Sequence, residues 1–186
     1  MTKIYIMRHG TTCWNEIHKC QGWSKNRLSK TGRMLVNQTA DARANTHFDL
    51  IISSPIMRAM QTANIVKSKN KTKGLKVVKD FRIAEIQEGI FAGKIKLDLS
   101  PEQKELFYAR SKKLGMESWR ECSIRTTEFI KEVLEKYRGK SILIVSHDTP
   151  ATFVEDYILH KNVDYDNYTY VKNFGNAEMR EYTIED

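Results

Sequence analysis

The sequence predicts an α/β fold, a three-layer α/β/α sandwich around a mostly parallel sheet, and three observations carry that expectation. Asp49 to Ser53 and Ser141 to Val145 are short, continuously apolar runs bounded by polar residues, the pattern of strands buried on both faces. Lys3 to Met7 is a third β-branched and aromatic run, and it leads straight into Arg8-His9-Gly10. Segments with helical start signals alternate with these strands, as crossover connections between parallel strands require.

The elements follow in chain order. After the first strand, Ser29-Lys30-Thr31-Gly32 introduces a helix over about 31–45. The strand ending at Ser53 is followed by Ser54-Pro55, which supplies an N-cap and a first-turn proline for a helix over about 55–68. Leu75 to Lys79 reads as another strand. Ser100-Pro-Glu-Gln103 is a capping box opening a helix to about Leu114, with Gly115 as its stop. Ser118-Trp-Arg-Glu121 is a second, for a helix to about Tyr137. Its apolar stripe runs through Trp119, Cys122, Thr126, Phe129, Ile130, Val133, Leu134 and Tyr137. A helix is expected from Pro150 to about Leu159, a Tyr/Asn/Asp-rich loop over 161–176, and an edge strand over Glu178 to Ile184.

With 186 residues and no repeat, low-complexity tract or linker, one domain over 1–186 is expected. No apolar run approaches the roughly 18 residues of a membrane span. The N-terminus reads as a strand rather than a signal peptide. Three cysteines (Cys13, Cys20, Cys122) form an odd set without metal-ligand spacing, which points to a reducing cytoplasm. The net charge of +8 suits an anionic partner: nucleic acid, acidic membrane or a phosphorylated molecule. The lysines at 67, 69, 71, 73, 76 and 79 lack interleaved aromatic residues and read as a solvated connector, so neither nucleic acid nor membrane is the expected partner. Cys13 reads as a passive small residue, and His18, His47 and His160 as surface or satisfied histidines.

In sheets of this type ligands bind beyond the carboxyl ends of the strands. What stands there is Arg8-His9-Gly10-Thr11-Thr12, Ser53-Ser54-Pro55-Ile56-Met57-Arg58, and Ser146-His147-Asp148. A neutral imidazole is a competent nucleophile, and guanidinium groups are permanent forked donors for phosphoryl oxygens. Arg58 in the first turn of a helix is locally unfavourable unless an anion compensates it.

These residues resemble the histidine phosphatase superfamily, the phosphoglycerate-mutase-like proteins, in its small cytoplasmic branch. The resemblance runs through Arg8-His9-Gly10-Thr11-Thr12-Cys13-Trp14-Asn15, Gln21-Gly22-Trp23, Leu28-Ser29-Lys30-Thr31-Gly32, the block from Ser53 to Ala63, Glu85 with Gly89, Phe91 and Gly93, and Ser146-His147. It implies a phosphoglycerate-mutase-like fold and a phosphatase needing no metal and no cofactor. By that resemblance His9 takes the phosphoryl group, Arg8, Arg58 and His147 surround it, and Glu85 protonates the leaving oxygen and then activates water. Asn15, with Gln21 and Gly22, would bind the substrate, a small phosphorylated molecule.

The chain departs from the family pattern in places. Ala92 stands where relatives often carry Glu or Gln, and Glu88 and Asp148 compete with Glu85 for the acid role. Asp148 otherwise reads as a turn residue before the Thr149-Pro150 helix start. Lys25 and Arg27 add positive charge beside the expected mouth. Residues 94–114 are expected to cover the site, with Phe91, Leu106, Phe107 and Tyr108 as its lining. Known mutases are longer, with an arginine pair after the acid region, where this chain has only Arg110 and Lys112-Lys113. A phosphatase is therefore the expected activity, with a cofactor-dependent phosphoglycerate mutase or a catalytically silent basic binding protein as alternatives. Substrate identity and oligomeric state are open at this level.

Overall fold

The computed structural model describes residues 1–161 and 174–185. Five strands form one sheet: β1 (Thr2–Arg8), β2 (Leu50–Ser53), β3 (Val77–Lys79), β4 (Ser141–Ser146) and β5 (Met179–Ile184). Their order is β3-β2-β4-β1-β5. The first four run parallel, and β5 closes the edge antiparallel to β1. The helices are α1 (Cys13–Glu16), α2 (Lys30–Ala42), α3 (Met57–Lys69), α4 (Pro101–Ala109), α5 (Trp119–Lys136) and α6 (Asp148–His160).

Because side chains alternate across a strand, β1 and β4 feed two separate cores. Tyr5, Met7, Leu143 and Val145 pack with Val36 and Ala40 of α2 and Ala59, Ala63 and Val66 of α3. Ile4, Ile6, Ile142 and Ile144 pack with Phe129, Ile130 and Val133 of α5 and Ala151 and Val154 of α6. These are the three layers that the uninterrupted apolar strands predict. A smaller cluster of Cys20, Phe91, Leu99, Phe107 and Met116 joins the 94–114 segment to the loop after α1.

Several boundaries differ from the sequence expectation, and β3 begins at Val77, two residues after the expected Leu75. Helix α2 ends at Ala42, three residues early. Helix α3 begins at Met57 behind Ile56, with no side-chain cap; Ser54 and Pro55 lie outside it. Helix α4 keeps its Ser100 capping box but stops at Ala109, where Arg110 turns left-handed (φ 52°) and is held by buried acceptors; Gly115 instead ends a short 3-10 turn over Lys112–Leu114. Helix α6 starts at Asp148, before Pro150, so Asp148 is a first-turn helix residue and not a turn residue. A carboxylate at a helix N-terminus is favourable, and Pro150 needs no amide partner there. Of the expected loop over 161–176, residues 162–173 lie outside the described residues.

The lysines from 67 to 79 are all exposed, and Lys69 pairs with Asp41 at 2.9 Å. Among the described residues no helix is long and apolar enough to cross a membrane.

Candidate active site

The register of the parallel strands sets the site. Arg8 pairs with Ser146 and Ser53 with Val145, so β1, β4 and β2 end side by side. The ladder continues one residue beyond each end: His9 N–H donates to Ser146 O (2.9 Å) and Ser54 N–H to Val145 O (2.9 Å). His9 and Ser54 are thereby fixed by sheet hydrogen bonds and not by loop conformation, and His147 follows the last residue of β4 directly as the N-cap of α6.

The loop after His9 is locked by close packing with α2. A Cβ on Gly32 would stand 1.9 Å from Thr11 O, so the helix N-terminus reaches the loop only because position 32 has no side chain. Ser29 Oγ caps that helix by accepting from Gly32 N–H.

A hydrogen-bond partner fixes the tautomer of His9. His9 Nδ1 lies 2.7 Å from Gly10 O, a pure acceptor, so Nδ1 carries the proton and Nε2 the lone pair. Arg58 Nε donates to that lone pair at 3.1 Å. Ser54 Oγ accepts from Ile56 N–H and lies 2.8 Å from His147 Nε2, and in the tautomer with the proton on Nδ1 it gives its own proton to Nε2. The two imidazoles meet edge to face with centroids 5.0 Å apart. Burial, the nearby Arg58 and then Arg8 push the pKa of His9 well below the usual imidazole value. Burial and Arg58, followed by His9, do the same for His147.

Two cations complete the cluster. Arg58 is fully buried, with Nη2 donating to Gly22 O at 2.9 Å and Nη1 to Ser24 O at 3.4 Å. Gly22 thus enters the site through its carbonyl, in a left-handed conformation (φ 46°), and positions Arg58. Arg8 Nη1 donates to Phe174 O (2.5 Å) and lies 3.5 Å from Asp148 Oδ2. Among the described residues only two buried side-chain polar atoms lack a hydrogen-bond partner, and both are here: Arg8 Nε and His147 Nδ1. A buried donor without an acceptor is costly, and an anion bound between them would satisfy both.

The three candidate carboxylates separate clearly. Glu85 Oε2 lies 3.9 Å from His147 Nδ1, while Oε1 accepts from Ile86 N–H at 3.0 Å. Burial raises its pKa above the usual carboxyl value against the opposing pull of Arg58. Glu88 is taken by Arg110 in a buried ion pair at 2.9 Å. Asp148 accepts from Phe174 N–H (3.0 Å) besides facing Arg8. Only Glu85 stands beside the imidazoles without a cation pairing it directly.

His9, Glu85 and His147 offer ligand atoms within 4.8 Å of one another, a donor set that by type can hold a transition metal. Here, however, Gly10 O occupies His9 Nδ1 and Arg58 Nε occupies Nε2, and two guanidiniums oppose a cation. The arrangement fits an anion better.

A cleft of about 130 Å³ opens above the cluster, lined in part by Arg8, Asn15, Gln21, Gly22, Glu85 and Asp148. Asn15 Oδ1 accepts from Thr12, which leaves its amide N–H groups for a ligand; Gln21 Oε1 accepts from Thr12 Oγ1. Phe107 and Tyr108 line the cleft as expected. Phe91 does not, because it is buried in the small core, and Leu106 is exposed away from it. Lys25 and Arg27 are exposed and do not line it; Lys19 and Lys96 supply the positive charge instead, while the Arg110 charge is met by Glu88. An antiparallel bridge of Lys19 with Ile95, and Lys96 N–H donating to His18 O, bring the two lysines to one edge. Nothing in the local sequence signals that bridge.

The sequence model described as the histidine phosphatase superfamily (branch 1) matches residues 4–186. A protein of Hydrogenobacter thermophilus named phosphoserine phosphatase 1 is 30% identical over 157 residues, covering 81% of this chain and 72% of its own. The uncharacterized phosphatase PhoE of Bacillus subtilis is 30% identical over 147 residues, covering 79% and 72%. The solved structure of Bacillus stearothermophilus YhfR superposes with a TM-score of 0.82 at 21% identity, over 100% of this chain and 92% of that one, a likeness of fold.

Proposed function

The chain belongs to the histidine phosphatase superfamily, and from that membership we propose that it hydrolyses a phosphate monoester through a phosphohistidine formed on His9 Nε2, without a metal. The observation that carries this reading is the pair of buried polar atoms without a hydrogen-bond partner, Arg8 Nε and His147 Nδ1, at the same strand ends as an imidazole whose Nε2 lone pair meets Arg58.

In the first step Nε2 attacks phosphorus, the bond from phosphorus to the ester oxygen breaks, and Glu85 gives its proton to the departing alkoxide. Arg58 turns its Nε–H from the imidazole to a phosphoryl oxygen, while Arg8 and the His147 Nδ1–H take up the remaining charge. In the second step the Glu85 carboxylate removes a proton from water, the water oxygen bonds to phosphorus, and the phosphorus–nitrogen bond breaks to release inorganic phosphate.

In this reading the cleft lined by Arg8, Asn15, Lys19 and Asp148 receives a small phosphorylated molecule. O-phosphoserine is a first compound to test, given the name of the Hydrogenobacter relative. Residues 94–114 act as the cover of the site through Lys96, Phe107, Tyr108 and Arg110. The three unpaired cysteines suit a reducing cytoplasm.

The test is turnover of an aryl phosphate in EDTA by the wild type and by His9→Ala, followed by a panel of phosphorylated metabolites. Chelator-resistant turnover that falls by about 10³-fold or more in the variant is expected. Equal activity in both proteins overturns the proposal. Isomerisation of phosphoglycerate in the presence of bisphosphoglycerate would favour a mutase instead.

A further inference from the structure

The segment carrying Glu85 makes few backbone hydrogen bonds of its own. After the 3-10 turn over Phe81–Ile83, the amides of Ile86 and Glu88 are met by the side chains of Glu85 and Gln87. Its carbonyls are met from outside: Ser146 Oγ donates to Ile83 O at 2.8 Å, Arg110 Nη2 and Glu117 N–H donate to Gln87 O at 2.6 and 3.1 Å, and one residue of α5 meets two more. Arg125 Nη1 donates to Arg82 O at 2.6 Å and Nη2 to Glu85 O at 3.3 Å. The same guanidinium grips Glu117 in a forked pair, Nε to Oε1 at 2.6 Å and Nη2 to Oε2 at 2.9 Å. Glu117 Oε2 in turn accepts from Gln87 N–H at 3.2 Å. One ion pair therefore holds the chain on both sides of Glu85, at positions 82, 85 and 87. Trp23 Nε1 adds a donor to Glu85 O at 2.6 Å.

From this arrangement we propose that Arg125 and Glu117 are positioning residues for Glu85, holding its carboxyl where it can protonate the leaving oxygen. The proposal rests on the reading of Glu85 as the acid. The pair is mostly buried, with side chains 17% and 14% exposed. Such pairs add little net stability because desolvation offsets their attraction. Their forked geometry, by contrast, directs several donors at fixed backbone atoms. Proton transfer needs that accuracy, since a 1 Å misplacement can cost about 10²-fold.

The test compares kcat/KM, which reports phosphoryl transfer to His9, on two esters. An alkyl phosphate needs a proton at its leaving oxygen, whereas a nitrophenyl phosphate leaves as a stable phenolate and needs little help. The ratio of the two is independent of the fraction of protein folded. Arg125→Lys keeps the charge and loses the fork; Glu117→Gln keeps the shape and weakens the pair. Both are expected to lower the alkyl rate by ~10–100-fold and the nitrophenyl rate by less than ~3-fold, in the direction of Glu85→Gln. Equal losses on both esters, or none, would mean the pair only supports the fold and would overturn the proposal. If Glu85→Gln itself fails to discriminate while the wild type turns over, the acid assignment falls and the positioning role with it.

Discussion

Arg58 Nε donates a hydrogen bond to His9 Nε2 across 3.1 Å, and that bond exists only while Nε2 is unprotonated. Arg58 thus reads out the state of the imidazole that the proposed attack requires. Burial first, and then this guanidinium, which penalises a second positive charge, keep the imidazole neutral.

The pH dependence follows from these directions. His9 must be neutral, and its pKa is depressed, so the rising limb of kcat/KM lies below pH 6.5. Glu85 must be protonated, and its pKa is raised, so the falling limb lies above pH 4.5. A bell-shaped profile is expected, measured with one substrate throughout. Glu85→Gln should lose the falling limb. A flat wild-type profile from pH 4 to 8 would count against both assignments.

Three carboxylate variants rank the acids. Glu85→Gln should lower turnover of an alkyl phosphate by ~10²–10⁴-fold. Glu88→Gln and Asp148→Asn are expected to cost less than ~10-fold, because those groups face Arg110 and Arg8 and not the leaving oxygen. Steady-state rates at the wild-type optimum decide it, and a larger loss in Asp148→Asn would move the acid role there.

Inorganic phosphate should stabilise the protein by satisfying Arg8 Nε and His147 Nδ1. At 100 times the dissociation constant the gain is about 2.7 kcal/mol, or a rise in Tm of ~5–10 °C for a chain of this size. Thermal unfolding of His147→Gln should show less than half that rise above its own baseline. An undiminished shift would place the bound anion elsewhere.

Gly32→Ala tests the packing of α2 against the catalytic loop. Its Cβ would meet Thr11 backbone at 1.9 Å, where nothing flexible can give way. A loss of about 3 kcal/mol is expected, lowering Tm by ~6–12 °C, and kcat should fall with it as Thr11 is displaced. An unchanged Tm would show that the helix can withdraw freely.

The sequence by itself determined the layered α/β architecture and the strand-end positions of His9, Arg58 and His147. Apolar runs buried on both faces, capping boxes and the residues that follow each strand are local signals, and they survive folding almost unchanged. The expected start of α3 failed because a tertiary bond outranks a local cap: Ser54 is engaged by His147 and leaves α3 uncapped. The choice among Glu85, Glu88 and Asp148 was equally hidden, because it depends on which arginine reaches each carboxylate. Arg110 meets Glu88 across 22 residues, and Arg125 meets the Glu85 carbonyl across 40. Only the tertiary structure decided those pairings, since a buried guanidinium must be met by whichever acceptors the folded chain brings beside it.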